Sequence, residues 1–274
     1  MGKYLKEFET HTEYENYTAD TANFILPNVS YCVDTPNEVH YNPYVEPLET
    51  RVVAKFNITS TSSPTPISYK YYGTDGTSGF SAIEVDGVEL PNVVSAYTFS
   101  TTGEHIVKYT LKDPTTIGAY SFYDCTSITS ITIPDSVTSI SSDAFYHCKI
   151  LTSVNIPTNV TSIDSYAFTY CEKIESIEIP DGVTTIKNQT FQNCFALADC
   201  TIGSGVTSIG NSAFLNCYAL DNLTIKATNP PSLGSNVFNN IQNVFTIYVP
   251  SGSVEAYKAA SGWSKYASRI QAIS

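Results

Sequence analysis

Residues 163–180 read Ile-Asp-Ser-Tyr-Ala-Phe-Thr-Tyr-Cys-Glu-Lys-Ile-Glu-Ser-Ile-Glu-Ile-Pro, and copies of this stretch recur along most of the chain. Five cysteines stand 23 residues apart, and each follows a phenylalanine by three residues. The pairs are Phe122 with Cys125, Phe145 with Cys148, Phe168 with Cys171, Phe191 with Cys194 and Phe214 with Cys217. A fixed period of this length indicates one supersecondary unit that is copied and stacked into a solenoid.

The second half of the quoted stretch carries an apolar pattern. Ile174, Ile177 and Ile179 match the L-x-x-L-x-L core of leucine-rich repeats. The alternation around Glu178 predicts a short strand with one face inward and one outward. Pro180 follows at once and ends the strand, because proline has no N–H to donate to a neighbouring strand.

The rest of each copy predicts the return path of one turn. Val183 and Ile186 bring the chain back to the core, which indicates a second short strand, and Ala167-Phe168 suits a tight helical turn on the opposite side. A degenerate sixth copy includes Phe238, with Ile241 in the cysteine position. The predicted fold class is therefore mainly β: a leucine-rich-repeat solenoid of about six turns, preceded by a small all-β sandwich-like domain.

Seven cysteines raise the question of metal or disulfide chemistry. Zinc sites use close pairs such as C-x-x-C, whereas the repeat cysteines lie a whole turn apart. Parallel side chains on adjacent turns also leave the Cβ atoms farther apart than a disulfide prefers. We therefore expect a column of small buried side chains, joined by Cys200, with no metal or other cofactor. Cys32 stands alone before the repeats and is the cysteine that we expect to react.

Composition along the chain predicts four segments. Asp86-Gly87 between two alternating runs is a hairpin signal, and Gly262 and Trp263 after a short helical pattern predict a cap that covers the last turn. The segments are a Tyr-rich acidic N-terminal segment for attachment or docking (1–45), a small β-sandwich-like domain that caps the array (46–111), the solenoid (112–250) and a C-terminal helical cap (251–274).

The charge balance excludes several classes of partner. A net charge of −12 and a pI near 4.6 disfavour nucleic acid and anionic membrane surfaces. No run of about 18 apolar residues is present, so we expect no direct membrane insertion. The first residues of this chain lack the apolar core of a secretory signal, so no signal peptide is expected within it.

Two surfaces are candidates for partner binding. The outward positions of the strand face are polar and include Asn155 and Glu178, which could hydrogen-bond a partner or simply keep the surface soluble. Aromatic residues near the opposite turns could form a contact patch or could pack between successive turns. They are Tyr123, Tyr146, Tyr170, Phe195 and Tyr218.

A catalytic interpretation has less support. The four histidines are scattered, and neither a phosphate-binding loop nor a nucleophile elbow occurs in the sequence. Glu175 and Glu178 could share a face, but an extra pair of acids on a polar sheet is ordinarily solvated surface. The sequence therefore predicts a protein that is not an enzyme.

Several phrases resemble the BspA-type leucine-rich-repeat family of bacterial surface proteins. They are residues 131–140 and 209–217 within the repeats, and the ending 248–263 is similar to the terminal cap of such proteins. The resemblance implies an extracellular or cell-surface protein that adheres to host proteins, cells or glycans, without fixing the ligand. Gly203 and Lys226 depart from the pattern, because they replace the strand-ending proline in the fourth and fifth turns.

Two hypotheses about function remain open at this stage. The first is a non-enzymatic surface or secreted binding protein that acts through the repeat surface on an unknown protein or glycan ligand. The alternative is a structural component of a larger assembly, such as an appendage or a phage-like fibre, attached through residues 1–45. The chain would be a monomer in the first case and part of an assembly in the second.

Overall fold

The computed structural model describes residues 31–35, 38–41, 51–69, 79–241 and 245–273. The chain divides into two compact units, Met1–Glu49 and Thr50–Ser274. In the first unit, strand β1 (Tyr31–Thr35) pairs antiparallel with β2 (Glu38–Tyr41). Most of the predicted N-terminal segment lies outside the described residues, so the predicted role of residues 1–45 remains a prediction.

The second unit begins with six strands that precede the repeats. They are β3 (Val52–Ile58), β4 (Thr65–Pro66), β5 (Phe80–Val85), β6 (Val88–Glu89), β7 (Ala96–Tyr97) and β8 (Gly103–Leu111). Strands β3, β8, β5 and β6 form an antiparallel sheet in that order, and β4 pairs with β7 in a small second sheet. Asp86 and Gly87 both have positive φ, at 50° and 85°, as a tight hairpin turn requires, which confirms the predicted β5–β6 hairpin.

The predicted sandwich-like module has two layers joined by aromatic contacts. The rings of Phe56 on β3 and Phe99 after β7 lie 6.2 Å apart, and the buried Tyr109 hydroxyl on β8 donates to the Ile67 carbonyl at 2.6 Å. Tyr109 also meets Phe122 of the first repeat edge to face, at 5.0 Å between ring centroids. One hydrophobic core therefore runs from the module into the repeats.

The repeats form a solenoid whose turns each add one strand to each of two parallel sheets. The first sheet holds two-residue strands: β9 (Thr116–Ile117), β11 (Ser139–Ile140), β13 (Ser162–Ile163), β15 (Thr185–Ile186), β17 (Ser208–Ile209) and β19 (Ser232–Leu233). The other side holds β10 (Ile128–Thr132), β12 (Ser153–Asn155), β14 (Ser176–Ile179), β16 (Asp199–Ile202), β18 (Asn222–Ile225), β20 (Thr246–Val249) and β21 (Ile270–Ala272). Both predicted strands of each turn are therefore present.

The module and the first turns share one sheet. Strand β3 pairs antiparallel with β10, with Ala54 opposite Ile131, and β10 pairs in parallel with β12. Strands β14, β16, β18, β20 and β21 continue the same side of the solenoid as a separate parallel sheet. An antiparallel strand from the module therefore covers the N-terminal end of the array.

The column of phenylalanines forms the centre of the solenoid. The rings of Phe122, Phe145, Phe168, Phe191, Phe214 and Phe238 stack in succession, with centroids 5.1 to 5.7 Å apart. All of them are buried, as are the five repeat cysteines and Cys200. The prediction of a dry column of aromatic and thiol side chains is confirmed.

Four of the five repeat cysteine thiols also contact a hydrogen-bond acceptor. The Sγ atoms of Cys148, Cys171, Cys194 and Cys217 lie 3.2 Å from the carbonyl oxygen of the phenylalanine one turn earlier. The thiol is a weak donor, so each contact adds little by itself. Each of these carbonyls also accepts the backbone N–H of the cysteine in its own turn, so the thiol is a second donor to the same oxygen.

The turn that carries each phenylalanine has a residue with positive φ at both ends. The paired positions are four residues apart: Tyr120 and Asp124, Asp143 and His147, Tyr166 and Tyr170, Gln189 and Asn193, Ser212 and Asn216, Asn236 and Asn240. Inside the turn the Cys171 N–H bonds to the Phe168 carbonyl, as in a helical turn. The left-handed residues stop it from continuing, so the predicted helical turn is a single hydrogen-bonded turn.

The C-terminal cap combines one helix with a further strand. Helix α1 (Val254–Ala259) confirms the predicted short helix, and Gly262 has the expected left-handed φ of 81°. Trp263 is fully buried, and its Nε1–H donates to the Pro231 carbonyl at 2.7 Å. Strand β21 then pairs with β20, with Ile270 beside Ile247. The cap therefore adds a seventh strand to this side of the solenoid, which the prediction of about six turns did not include.

Candidate interaction surface

The N-terminal turns of the solenoid bring six half-buried rings together in what we call the aromatic patch. The patch consists of Tyr69, Tyr120, Tyr123, Tyr146, His147 and Tyr170. Five of them lie in the phenylalanine-bearing turns of the first three repeats, and Tyr69 comes from the β-module. The turn geometry places them, because a side chain next to the inward-facing phenylalanine, or at a left-handed position, lies at the surface of the turn.

Ring contacts run through the patch without a break. Tyr123 and Tyr146 are stacked, with centroids 4.8 Å apart and an interplanar angle of 5°. Tyr69 lies 5.0 Å from Tyr123, while Tyr170 meets Tyr146 edge on at 5.8 Å. Such pairs each contribute about 0.5–1.5 kcal/mol beyond area burial. The rings therefore pack between turns and also keep accessible edges, so the two interpretations of these tyrosines are compatible.

Two aspartates border the patch. The Asp124 carboxylate contacts the His147 ring, with 2.8 Å between Asp124 Oδ1 and His147 Nδ1. Asp143 occupies the left-handed position at the start of the next turn, where the first turn has Tyr120, and is half-buried. The patch thus combines aromatic faces with negative charge.

The pKa values of two hydroxyls reflect this environment. Burial raises the pKa of Tyr146, and Tyr170, Asp143, Asp124 and Tyr166 raise it further. Burial likewise raises the pKa of Tyr123, with smaller effects from Tyr146, the two aspartates and Tyr69. Both hydroxyls therefore stay protonated at neutral pH and can act as hydrogen-bond donors.

The five aromatic residues singled out in the sequence fall into two groups. Tyr123, Tyr146 and Tyr170 belong to the aromatic patch, whereas Phe195 and Tyr218 stack on each other at 5.4 Å in a different column of the later turns. Their role in binding remains a prediction. Sequence reasoning missed Tyr69, Tyr120 and His147, although Tyr120 could have been found from its position two residues before Phe122.

The two residues chosen on the strand face already have intramolecular partners. The Asn155 side-chain Oδ1 accepts the Ile133 N–H at 2.9 Å, which extends the backbone pairing by one bond. Glu178 pairs with Lys226 at 2.9 Å. Lys226 stands where most turns have proline, so this departure from the repeat supplies an ion pair across two turns. A role for Asn155 and Glu178 in binding also remains a prediction.

The later turns present amides where the early ones present rings and acids. Asn216 donates to Asn193 at 2.6 Å, and Asn240 donates to Asn216 at 2.7 Å. These residues occupy the column that Asp124, His147 and Tyr170 fill in the first three turns. The chemistry of the turn surface therefore changes along the array.

Within the described ranges, no group of three or more His, Cys, Asp or Glu residues is arranged to hold a metal ion. The same ranges contain no helix with the length and apolar character to cross a membrane.

Two parallel sheets closed around a phenylalanine column, with one short repeat per turn, define a leucine-rich-repeat solenoid. Residues 115–245 match the model of the BspA type leucine rich repeat region, in six copies. The repeat array of this chain therefore belongs to the BspA-type leucine-rich-repeat family, as the sequence predicted. No curated protein matches the chain.

Solved structures that are similar to this chain include the following three. The pneumococcal vaccine antigen PcpA is 17% identical over 60% of this chain and 44% of its own, with a TM-score of 0.44. A leucine rich cell surface protein from Faecalibacterium prausnitzii is 21% identical over 54% of this chain and 61% of its own, with a TM-score of 0.30. A leucine-rich repeat protein from Bacteroides ovatus is 16% identical over 85% of this chain and 72% of its own, with a TM-score of 0.25. The chain thus spans less than two thirds of the first two.

Proposed function

We propose that this chain is a non-enzymatic surface or secreted binding protein that adheres to proteins or glycans through the turn surface of its repeats. The observation that carries the proposal is the aromatic patch, a continuous set of half-exposed rings held by a rigid stack of turns. Tyrosine is enriched at binding surfaces because its ring is large, stiff and polar at one end. The family to which the repeats belong supports a surface location.

The rigidity of the scaffold also supports binding. Each turn is bonded to the next through backbone groups, for example from the Phe145 N–H to the Ala167 carbonyl at 2.8 Å. Side chains on such a scaffold lose little conformational freedom when a partner docks, which lowers the entropic cost of association.

A binding screen of the folded chain tests the proposal. The ligands are matrix proteins, host-cell surfaces and a glycan array at physiological salt. We expect at least one specific hit that the double substitution Tyr123→Ser/Tyr146→Ser weakens about tenfold or more. Tyr248→Ser, on the strand face, is the matched control and should bind like the wild type. No hit from the wild type at physiological salt would contradict the proposal.

A second candidate is a structural role in a larger assembly, attached through residues 1–45. It is supported by the separation of Met1–Glu49 into a compact unit of its own. Size-exclusion chromatography with light scattering tests it, and an ordered oligomer that disappears when residues 1–45 are deleted is the expected result. A chain that stays monomeric at all concentrations would count against this role.

A further inference from the structure

Asp143 differs from the other acidic residues of the turn surface. In the part of the chain that the structure describes, its carboxylate has neither a hydrogen-bond donor nor an ion-pair partner, although it is half-buried. By contrast, Asp124 pairs with His147 and Asp164 pairs with Lys187. Burial raises the pKa of Asp143 because nothing compensates the lost solvation of its charge. A partner that supplied a positive charge would therefore be favoured at this carboxylate.

The rings next to Asp143 offer a second attraction for a cation. Asp143 and Tyr146 belong to the same turn, where the Tyr146 N–H donates to the Asp143 carbonyl at 3.1 Å, and the Tyr146 ring stacks on Tyr123 at 4.8 Å. Aromatic faces attract cations, and a guanidinium can stack on a ring and donate to a carboxylate at the same time. The chain itself contains a guanidinium over an aromatic ring, since Arg269 Cζ lies 4.9 Å from the centroid of the Phe245 ring.

The chain as a whole is negatively charged, like the Asp143 carboxylate. The chain carries a net charge of −12, which would steer a basic partner toward it. Lys149, two residues after His147, is already paired, because its Nζ lies 3.7 Å from Glu172. A neutral sugar could stack on the tyrosines, but its hydroxyls satisfy a half-buried carboxylate less strongly than a charged donor does.

We propose that the aromatic patch, together with Asp143, is a receptor for arginine side chains in a basic segment of a partner protein. One guanidinium would donate to the Asp143 carboxylate and lie against the tyrosine rings beside it. The inference rests on the proposed binding function and names the chemistry of the partner.

Titration calorimetry with peptides tests the inference on the full chain. The probes are a Gly/Ser peptide that carries several arginines and the same peptide with citrulline, which is neutral and similar in shape, in place of each arginine. We expect the wild type to bind the arginine peptide, and Asp143→Asn and Tyr146→Leu each to weaken binding about three- to tenfold. Asp135→Asn removes the same charge from an exposed loop outside the patch and should have no effect. Thermal unfolding of each variant confirms that it is folded. If Tyr146→Leu does not fold, Tyr146→Phe replaces it, because phenylalanine keeps the ring stack.

Three outcomes would overturn the inference. They are equal binding of the arginine and citrulline peptides, an unchanged affinity in Asp143→Asn, and a glycan that competes for the patch and depends on Tyr146 but not on Asp143. In the last case the proposed function would stand and only the partner chemistry would be wrong. If neither peptide binds and the screen of proteins, cells and glycans also gives no hit, the proposed function itself fails.

Discussion

At the scale of single residues, the phenylalanine column shows how a residue repeated at a fixed period stabilises the fold by stacking on its copies in neighbouring turns. Phe168 is fully buried between Phe145 and Phe191, with stacking distances of 5.1 and 5.5 Å. Its loss would remove contacts on both sides at once, and neighbouring turns cannot collapse into the space because their backbones are bonded at a fixed spacing. A central ring should therefore be among the most costly side chains to remove.

Phe168→Ala is expected to lower the free energy of unfolding by about 3–5 kcal/mol. Urea denaturation followed by circular dichroism measures the effect. Phe168→Leu keeps most of the buried volume and should lose much less. A loss below about 1 kcal/mol for the alanine variant would contradict a closely packed column.

The buried thiols give a second residue-scale prediction. Burial raises the pKa of Cys194 to about 12, and it raises that of the other buried repeat cysteines, so little reactive thiolate forms at neutral pH. Iodoacetamide labelling of the native protein, followed by peptide mass spectrometry, should modify Cys32 alone, and a Cys32→Ser variant should not be labelled. Rapid labelling of Cys171 in the folded state would contradict the buried position of the thiols.

At the scale of elements, the β5–β6 hairpin is fastened to β8 by a buried histidine. His105 Nδ1 lies 2.6 Å from an Asp86 carboxylate oxygen, and Nε2 lies 3.0 Å from the Thr101 carbonyl. Both oxygens accept hydrogen bonds, so the ring satisfies them together only when both nitrogens are protonated. The second Asp86 oxygen accepts the Ile106 N–H at 2.9 Å. The hairpin should therefore respond to pH.

Burial alone would lower the pKa of His105, but the hydrogen bonds to Asp86 and Thr101 outweigh it and raise the pKa above 6.5. Burial likewise opposes the hydrogen bonds from His105 and Ile106, which lower the pKa of Asp86 below 3.8. The histidine contribution to stability is therefore full below pH 6.5 and is lost as the pH rises through the raised value. The aspartate contribution is present above pH 3.8 and is lost as the pH falls through the lowered value.

Thermal unfolding across pH, compared with His105→Gln, measures the histidine contribution. We expect the wild-type midpoint to fall by a few degrees on the alkaline side, and the variant to show a flatter profile there. Parallel profiles of the two proteins above pH 6.5 would contradict the protonated ring.

Elements were predictable where a local signal sets them. The Asp86-Gly87 hairpin, the proline-terminated strands and helix α1 are confirmed because their determinants lie within a few residues. Strand β21 was not predicted, because residues 270–272 lack the repeat pattern and form a strand only by pairing with β20. The left-handed positions were also missed, since residues as different as Tyr120, Gln189 and Ser212 fill them and no glycine marks them.

The candidate surface, too, was predictable only where its residues are set by the repeat itself. Tyr123 and Tyr146 were identified from their shared place in the repeat, and their stacking follows from it. Tyr69 packs against Tyr123 from another part of the fold, and no local sequence pattern predicts this contact. That the described residues offer Asp143 no partner likewise depends on how its neighbours pair their own charges, and this is visible only in three dimensions.

At the scale of the whole second unit, the repeats are interchangeable parts. Each turn contacts its neighbours through the same backbone bonds and the same stacked rings. Stability should therefore be close to a sum of turn and interface contributions. Removing one whole turn would leave every remaining turn with a suitable neighbour.

Excision of residues 164–186, which is one 23-residue period, is expected to give a folded and slightly less stable protein in which Phe145 stacks on Phe191. Excision of residues 164–175 removes about half a turn and should prevent the array from forming, because strands and rings no longer align. Circular dichroism and urea unfolding distinguish the two. Loss of cooperative unfolding in the full-period deletion would contradict the modular structure.

The direction of β3 has a consequence for how such a molecule changes length over generations. Because β3 already occupies the edge of β10 and runs opposite to it, a parallel coil cannot pair with β10 on that side. Tandem duplication of repeats would therefore lengthen the solenoid by inserting coils between the β-module and the C-terminal cap. Descendants with more or fewer coils would keep the same β-module and the same C-terminal cap with its tryptophan, and the distance between the two would change in steps of one coil.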